Sequence, residues 1–168
     1  VIEKDIPQSV VTFGHNGIKR DNPDWYAGYI LNYILGGGGF SSRLMNEVRE
    51  KRGLAYSVGS YLYPYERAGL FQGHVATANA RVGESIDLIR AEIARIREEG
   101  PTEEELAHAK TYITGSFPLS LDSNSKISRF LVMVQMRGLG ADYIEKRNAY
   151  MEAVTLDDVK RVAQYLLD

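Results

Sequence analysis

The first half of the chain switches between two hydrophobic periods, and each switch predicts a new element. Residues 8–15 are rich in β-branched and aromatic side chains, which favours a strand. Residues 24–35 carry large apolar side chains at three- and four-residue spacing, which predicts a deeply buried helix with Asn22 as its cap. Residues 54–63 and 69–78 are strand-like again, and the short loop between them predicts a hairpin.

The second half keeps the helical period almost throughout. Two of its helices are predicted to begin with capping boxes, in which a threonine is followed three positions later by an acidic residue: Thr102 with Glu105, and Thr155 with Asp158. In all, five helical segments with at most one later strand follow the hairpin. This order predicts an α+β fold, with an antiparallel or mixed sheet and helices packed on one of its faces.

The least ordinary stretch is the run of four glycines at residues 36–39. A backbone without β-carbons turns sharply and lets another chain lie close to it. We predict that a short helix follows the glycines, capped by Ser41. Phe40, Leu44 and Val48 are spaced four apart, so they are expected to share one face of that helix.

Two candidate functional side chains lie at the end of this short helix. Gly53 is predicted to end the helix, which puts Arg49 on its last turn and Tyr56 near the start of the next strand. The tight turn at 51–53 is expected to bring the arginine and the tyrosine together. Charged helix ends are usually solvated and strand tyrosines usually pack, so taken singly both residues favour a structural role.

Composition narrows the function classes. The length of 168 residues fits a single domain over residues 1–168, or part of a larger protein. The formal net charge of −2 argues against nucleic acid or an anionic membrane as the main partner. No apolar run reaches the roughly 20 residues of a membrane-spanning helix, and the first residues lack a signal-peptide pattern. Because the sequence does not begin with methionine, we expect a processed product or an excised piece.

Cysteine usage and histidine spacing bear on metal sites. The chain has no cysteine, which excludes a disulfide framework and a thiolate zinc site. A soluble protein without cysteine fits the cytoplasm and the periplasm equally well. His15, His74 and His108 have no metal-ligand spacing, although His15 and His74 could be neighbours on adjacent strands. A structural or surface role is favoured for each histidine.

The glycine run at residues 36–39 is also a candidate nucleotide site. It lacks the Gly-Lys-Ser/Thr ending of a phosphate-binding loop, so a helix end is favoured over a nucleotide site.

The string at residues 35–58 is the most specific feature of the sequence. It runs Leu-Gly-Gly-Gly-Gly-Phe-Ser-Ser-Arg-Leu-Met-Asn-Glu-Val-Arg-Glu-Lys-Arg-Gly-Leu-Ala-Tyr-Ser-Val. It closely resembles the insulinase (pitrilysin) family of zinc metallopeptidases, which includes the mitochondrial processing peptidase and bacterial relatives. The resemblance continues through residues 99–106 and 154–159, so it covers nearly the whole chain.

The resemblance implies one half of a clamshell peptidase built from two homologous α+β halves. In that family one half binds zinc through an inverted His-x-x-Glu-His motif and a distal glutamate. The first helix here, at 22–35, lacks the motif, so the chain resembles the zinc-less half. No metal or cofactor is then expected in this chain, and zinc is expected in the partner half. A further strand usually follows the last helix of such a half, and this chain is expected to lack it.

The resemblance also implies which residues meet the substrate. In zinc-less halves of the family, an arginine and a tyrosine seven residues apart reach the substrate near the metal, and Arg49 and Tyr56 have that spacing. Independently of the family, a guanidinium and a phenol in a water-poor chamber can stabilise negative charge on a scissile carbonyl oxygen and hold a peptide in register.

The predicted function is therefore the non-catalytic, substrate-binding domain of a zinc metalloendopeptidase. The domain is expected to be inactive alone and to act on a peptide substrate together with a zinc-bearing homologous domain or subunit. The alternative is a structural or interaction module, because relatives include core subunits of the respiratory ubiquinol–cytochrome c reductase. The retained Arg49 and Tyr56 favour the first interpretation.

Overall fold

A computed structural model describes residues 5–168. The expectations for the first four residues, as part of the predicted domain 1–168 and without a signal-peptide pattern, lie outside the described residues. Within that range three strands form one antiparallel sheet in the order β1–β3–β2. The strands are β1 Gln8–Gly17, β2 Ala55–Pro64 and β3 Gly69–Ala78. β2 and β3 form the predicted hairpin, and β1 pairs with β3 along its whole length.

Helices make up most of the remaining chain. The described residues form six α-helices: α1 Trp25–Asn32, α2 Val82–Glu99, α3 Glu103–Gly115, α4 Asn124–Met136, α5 Tyr143–Glu152 and α6 Leu156–Leu166. Five of these follow the hairpin, as the helical period predicted. Over the same residues no strand follows α6. None of these described helices combines the length and the apolarity needed to cross a bilayer.

Both predicted capping boxes form. Thr102 Oγ1 accepts a hydrogen bond from Glu105 N at 3.1 Å, and Glu105 Oε2 accepts one from Thr102 N at 2.8 Å. Thr155 and Asp158 repeat this exchange at the start of α6. Caps of this kind typically contribute about 1 kcal/mol each. They therefore fix the starts of α3 and α6, as the local sequence predicted.

The core lies between the sheet and the helices. On β3 the side chains of Phe71 and Val75 are almost completely buried, whereas most side chains on the opposite face of this strand are only half-buried. α1 packs against α6, and α2 packs against β3 and α6. These contacts bury Ile30 and Leu31 of α1 and Val159 of α6. The helices therefore cover one face of an antiparallel sheet, which confirms the predicted α+β architecture.

The first helix differs from its predicted bounds. α1 begins at Trp25 and stays α-helical only to Asn32, after which Tyr33–Gly37 continue as a wider π-helical turn. Asn22 does not cap the helix itself. Its Oδ1 accepts a hydrogen bond from Asp24 N at 2.8 Å, which closes the turn just before the helix. The prediction failed here because the polar turn and the helix follow each other without a break.

Candidate functional site

The glycine run 36–39 is closely packed. A β-carbon at Gly36 would lie 2.5 Å from Ser60 Oγ and 2.6 Å from Ser60 N of β2. β-carbons at the next two glycines would lie 2.6 and 2.8 Å from atoms of the preceding helical turn. Gly39 has open space around it but a φ of +58°, a conformation that costs glycine little. The glycines therefore let the end of α1 lie directly on the edge strand β2.

Phe40 lies outside the hydrophobic core, so its predicted place on a common face with Leu44 and Val48 is wrong. The ring of Phe40 is 66% exposed, whereas Leu44 and Val48 are completely buried. Residues Gly39–Ser41 form a 3₁₀ turn, and Ser42 is extended, with φ −81° and ψ 152°. The four-residue spacing fails because Phe40 precedes the helix and does not follow its geometry.

Ser42, and not Ser41 as predicted, stands at the start of the helical segment. Its carbonyl oxygen accepts a hydrogen bond from Asn46 N at 3.0 Å. Its hydroxyl donates to the carbonyl oxygen of Gly39 at 2.7 Å instead of accepting from the helix. Ser42 thereby ties the helical segment to the end of the glycine run.

Arg49 is held near the end of a π-helical segment, Met45–Glu50. The segment ends at Glu50, and Gly53, with a φ of +59°, closes the predicted tight turn three residues later. Two backbone bonds close this turn, from Gly53 N to Arg49 O at 2.8 Å and from Leu54 N to Val48 O at 2.9 Å. The turn between the helical segment and β2 therefore has a fixed shape, which sets the distance between Arg49 and the start of the strand.

Glu47 fastens the same turn from its inner side. Its carboxylate is 9% exposed and accepts hydrogen bonds from Lys51 Nζ and from Arg52 Nη1, the latter at 2.7 Å. Arg52 Nη1 also donates to the carbonyl oxygen of Glu47 at 2.9 Å. The Lys51 ammonium, and next the Arg52 guanidinium, hold the pKa of Glu47 below its usual value. The carboxylate is therefore charged at neutral pH.

A β-bulge sets the position of Tyr56. Ala55 pairs with Thr77 and Ser57 pairs with Ala76, so two residues of β2 advance while β3 advances by one. Tyr56 is the extra residue, and 77% of its surface is exposed. Bulges of this kind re-aim side chains at the ends of strands. The bulge thus turns the Tyr56 side chain outward, where a tyrosine in a regular strand would usually pack against its neighbours.

The structure brings Arg49 and Tyr56 together, as the tight turn predicted. Cζ of Arg49 lies 5.9 Å from the centre of the Tyr56 ring and 4.8 Å from the centre of the Phe40 ring. The Arg49 side chain is 33% exposed, and the only carboxylate near it within the described residues is that of Glu50, 3.8 Å from Nε. Arg49 is thus braced by two aromatic rings while part of its guanidinium still faces solvent.

This arrangement offers donors to a peptide. A guanidinium has five N–H donors and a phenol has one O–H donor. Within residues 5–168 no side-chain hydrogen bond uses a donor of Arg49 or Tyr56. Both groups suit a carbonyl oxygen or a developing oxyanion. Both side chains act as hydrogen-bond donors, which position a peptide but do not by themselves cleave it.

The described residues do not fit a zinc ion. Over residues 5–168 no three histidine, aspartate or glutamate side chains are grouped so that they could hold a metal. The sheet register puts His15 and His74 on opposite faces, because His15 pairs with Phe71 while His74 pairs with Thr12, so their suggested proximity is wrong. His15 stacks on Phe71 at 5.0 Å, which is a packing role.

Two parts of this site were missed by reasoning from the sequence. Phe40 is predicted to share a helix face with Leu44 and Val48, and its bracing of Arg49 depends on a 3₁₀ turn that leaves no mark in the residue pattern. Glu47 lies in the charged run at the end of this helix, where a solvated side chain is expected. Its spacing of four from Lys51 was the available signal for an ion pair, but its burial could not be read from that spacing.

A comparison with known families decides the class of the chain. The model of the family described as "Peptidase M16 inactive domain" matches residues 1–113, about two thirds of the sequence. The chain belongs to this family. The match confirms the resemblance to the zinc-less half of insulinase-type peptidases, and it makes this M16 domain a non-catalytic one.

Individual relatives agree with the family. An uncharacterized zinc protease of Streptomyces coelicolor is 33% identical over 99% of this chain, and the zinc protease YmxG of Bacillus subtilis, also uncharacterized, is 37% identical over 76%. The chain spans 36% and 31% of the length of these two proteins. A crystal structure of a peptidase M16 inactive domain from Pseudomonas fluorescens is 35% identical, with a TM-score of 0.88 over 99% of this chain and 40% of that one.

Proposed function

We propose that this M16 inactive domain binds the peptide substrate of a zinc metalloendopeptidase whose zinc site lies in another domain or subunit. Arg49 and Tyr56 are its substrate-binding residues, and they line a chamber that the zinc-bearing half completes. The domain alone neither binds zinc tightly nor cleaves peptides. The single observation that carries the proposal is the convergence of Arg49 and Tyr56, from a helical segment and a bulged strand, on one partly exposed spot.

The electrostatics of the pair support this role. Hydrolysis of a peptide bond develops negative charge on the scissile carbonyl oxygen, and a positioned cation and hydroxyl stabilise that charge more strongly than water does. Phe40 and the Tyr56 ring restrict the guanidinium, so little rotamer entropy is lost when it meets the peptide. A pair serving only stability would be expected to have a buried partner, and the nearest carboxylate to Arg49 is 49% exposed.

The partner follows from the same reasoning. The residues described here do not fit zinc, whereas curated relatives roughly two and a half to three times as long are named zinc proteases. We infer that the part of such proteins outside this domain holds the metal, and that this domain meets it face to face across the substrate. That partner supplies the activated water, and this chain supplies positioning and charge stabilisation.

The proposal is tested in the intact protein, assembled with its zinc-bearing half, on a quenched fluorescent peptide. Arg49→Ala and Tyr56→Phe are each expected to lower kcat/KM by about 10²-fold, the scale of losing one oxyanion donor. Arg129→Ala and Tyr112→Phe are matched controls, because both side chains are exposed and lie on the helices α4 and α3. Full kcat/KM in both the Arg49 and Tyr56 variants would remove the proposed roles.

A further inference from the structure

Three tyrosines form an exposed strip at the far end of β2 from Tyr56. The tyrosine strip consists of Tyr61, Tyr63 and Tyr65, which are 46%, 36% and 57% exposed. The sheet register puts Tyr61 and Tyr63 on the face opposite the helices, because their pairing partners on β3 alternate with the buried Phe71. Large exposed aromatic surfaces of this kind are uncommon unless something binds them.

The spacing of the rings matches that of an extended peptide. The ring centres of Tyr61 and Tyr63 are 5.7 Å apart, and those of Tyr63 and Tyr65 are 6.1 Å apart. An extended chain advances about 6.6–6.8 Å for every two residues, and its alternate side chains point the same way. A peptide running along β2 would therefore present one side chain to each ring in turn.

The surroundings of Tyr61 and Tyr63 are uncharged, whereas Tyr65 lies in a hollow with Glu66 and Arg137 at the end of the hairpin. Gln72 lies opposite Tyr61 in the sheet, and Leu70 lies opposite Tyr63. His74 stacks on Tyr61 with ring centres 5.7 Å apart and an angle of 12°. No carboxylate or ammonium is among these same-face neighbours, so Tyr61 and Tyr63 offer ring faces without a fixed charge beside them. Such a surface favours apolar and aromatic side chains over acidic or basic ones.

The strip is continuous with the Arg49–Tyr56 site. Between them on the same face of β2 lie only Ser57 and Gly59, opposite Ala76 and His74. Because both side chains are small, they do not obstruct a peptide lying along this face of β2. From Tyr56 to Tyr65 the chain advances by nine residues, about 30 Å when extended. One peptide of about ten residues could therefore touch both ends.

We propose that the tyrosine strip binds the substrate peptide several residues away from the scissile bond, by taking its apolar side chains at alternate positions. This inference rests on the proposed function, because it makes the strip an extension of the Arg49–Tyr56 site. It also names the substrate class: an extended peptide segment with apolar residues at every second position.

Binding is measured directly, so that the test does not depend on turnover. The probe is a fluorescein-labelled decapeptide with leucine at alternate positions, and its counterpart has serine at those positions. Each is titrated by anisotropy into the intact protein, assembled with its zinc-bearing half. The double variant Tyr61→Ser/Tyr63→Ser is expected to weaken binding of the leucine peptide by about tenfold or more, as the loss of two ring contacts predicts, and to leave the serine peptide unaffected.

Tyr112→Ser is the matched control, since this exposed tyrosine lies on α3. Circular dichroism and the midpoint of thermal unfolding check that the variants fold. The inference is overturned if wild type does not distinguish the two peptides, if the double variant binds the leucine peptide as wild type does, or if it loses both peptides equally. Loss of assembly with the zinc-bearing half would also overturn it, because that result would assign the strip to the partner.

The two proposals fail separately. Suppose that Tyr61→Ser/Tyr63→Ser weakens binding of the leucine peptide, while the Arg49 and Tyr56 variants turn over substrate normally. This result would reject the proposed roles of that pair and keep the strip as a peptide-binding surface. The reverse pattern would keep the pair and reject the strip.

Discussion

The carboxylate of Glu47 accepts a hydrogen bond from Arg52 at 2.7 Å, across the turn that separates Arg49 from Tyr56. This contact joins the inner side of the π-helical segment to the residues that lead into β2. Any change that loosens it should change the distance between the candidate substrate-binding groups as well as the stability of the fold.

Glu47→Gln is expected to lower the free energy of unfolding by about 1–2 kcal/mol, because the buried carboxylate loses its charge while its two cationic partners stay partly solvated. Urea unfolding at pH 7 measures this. The control is Glu50→Gln, whose exposed carboxylate lies 3.8 Å from Arg49 and should change stability by less than about 0.5 kcal/mol. Equal losses in the two variants would contradict the structural role of Glu47.

The same carboxylate predicts a pH dependence. Lys51 and Arg52 lower the pKa of Glu47 from its usual 4.5. A carboxyl group with a lower pKa in the folded state stabilises the fold above its unfolded-state pKa and loses that contribution as pH falls through the folded-state pKa. The stability difference between wild type and Glu47→Gln should therefore be constant from about pH 7 to pH 5.5 and shrink below about pH 4.5. Parallel urea titrations across this range measure it, and a difference that grows on acidification would refute the assignment.

Phe40→Ala tests the bracing of Arg49. The ring lies 4.8 Å from the guanidinium and is 66% exposed, so its loss should leave stability within about 0.5 kcal/mol of wild type. If Arg49 acts as proposed, kcat/KM of the assembled peptidase should fall by roughly two- to fivefold, the scale of one cation–π contact of about 0.5–1 kcal/mol. Leu119→Ala, at a residue 70% exposed elsewhere, is the control. Equal activity in both variants would show that Phe40 does not support Arg49.

Gly36→Ala tests the close packing of the glycine run on β2. A β-carbon there would lie 2.5–2.6 Å from Ser60, including its backbone nitrogen, so we expect a loss of about 2–3 kcal/mol in the free energy of unfolding. Gly83→Ala is the opposite case: Gly83 lies in α2 with no atom near its β-carbon, and the substitution should stabilise by about 0.5 kcal/mol. Chemical denaturation of the two variants in parallel distinguishes them, and a harmless Gly36→Ala would mean that α1 does not approach β2 this closely.

Much of the fold could be predicted from local patterns. The hairpin, the five helices after it and both capping boxes depend on residues within a few positions of each other, so the sequence carries their signals directly. The bounds of α1 were less predictable. The helix continues beyond Asn32 as a π turn, because the glycines that follow fit against Ser60 of a strand more than twenty positions away.

The candidate site divides in the same way. The sequence by itself determined that Arg49 and Tyr56 stand seven residues apart across a tight turn, because Gly53 and the change of period mark that turn. Only the tertiary structure decided that the bulge turns Tyr56 outward and that Glu47 is buried under the turn. It also decided that Phe40 lies outside the core, beside Arg49. Each of these depends on which residues of β3 and of the glycine run lie alongside, and such contacts between distant segments are set by packing and not by the spacing of neighbouring residues.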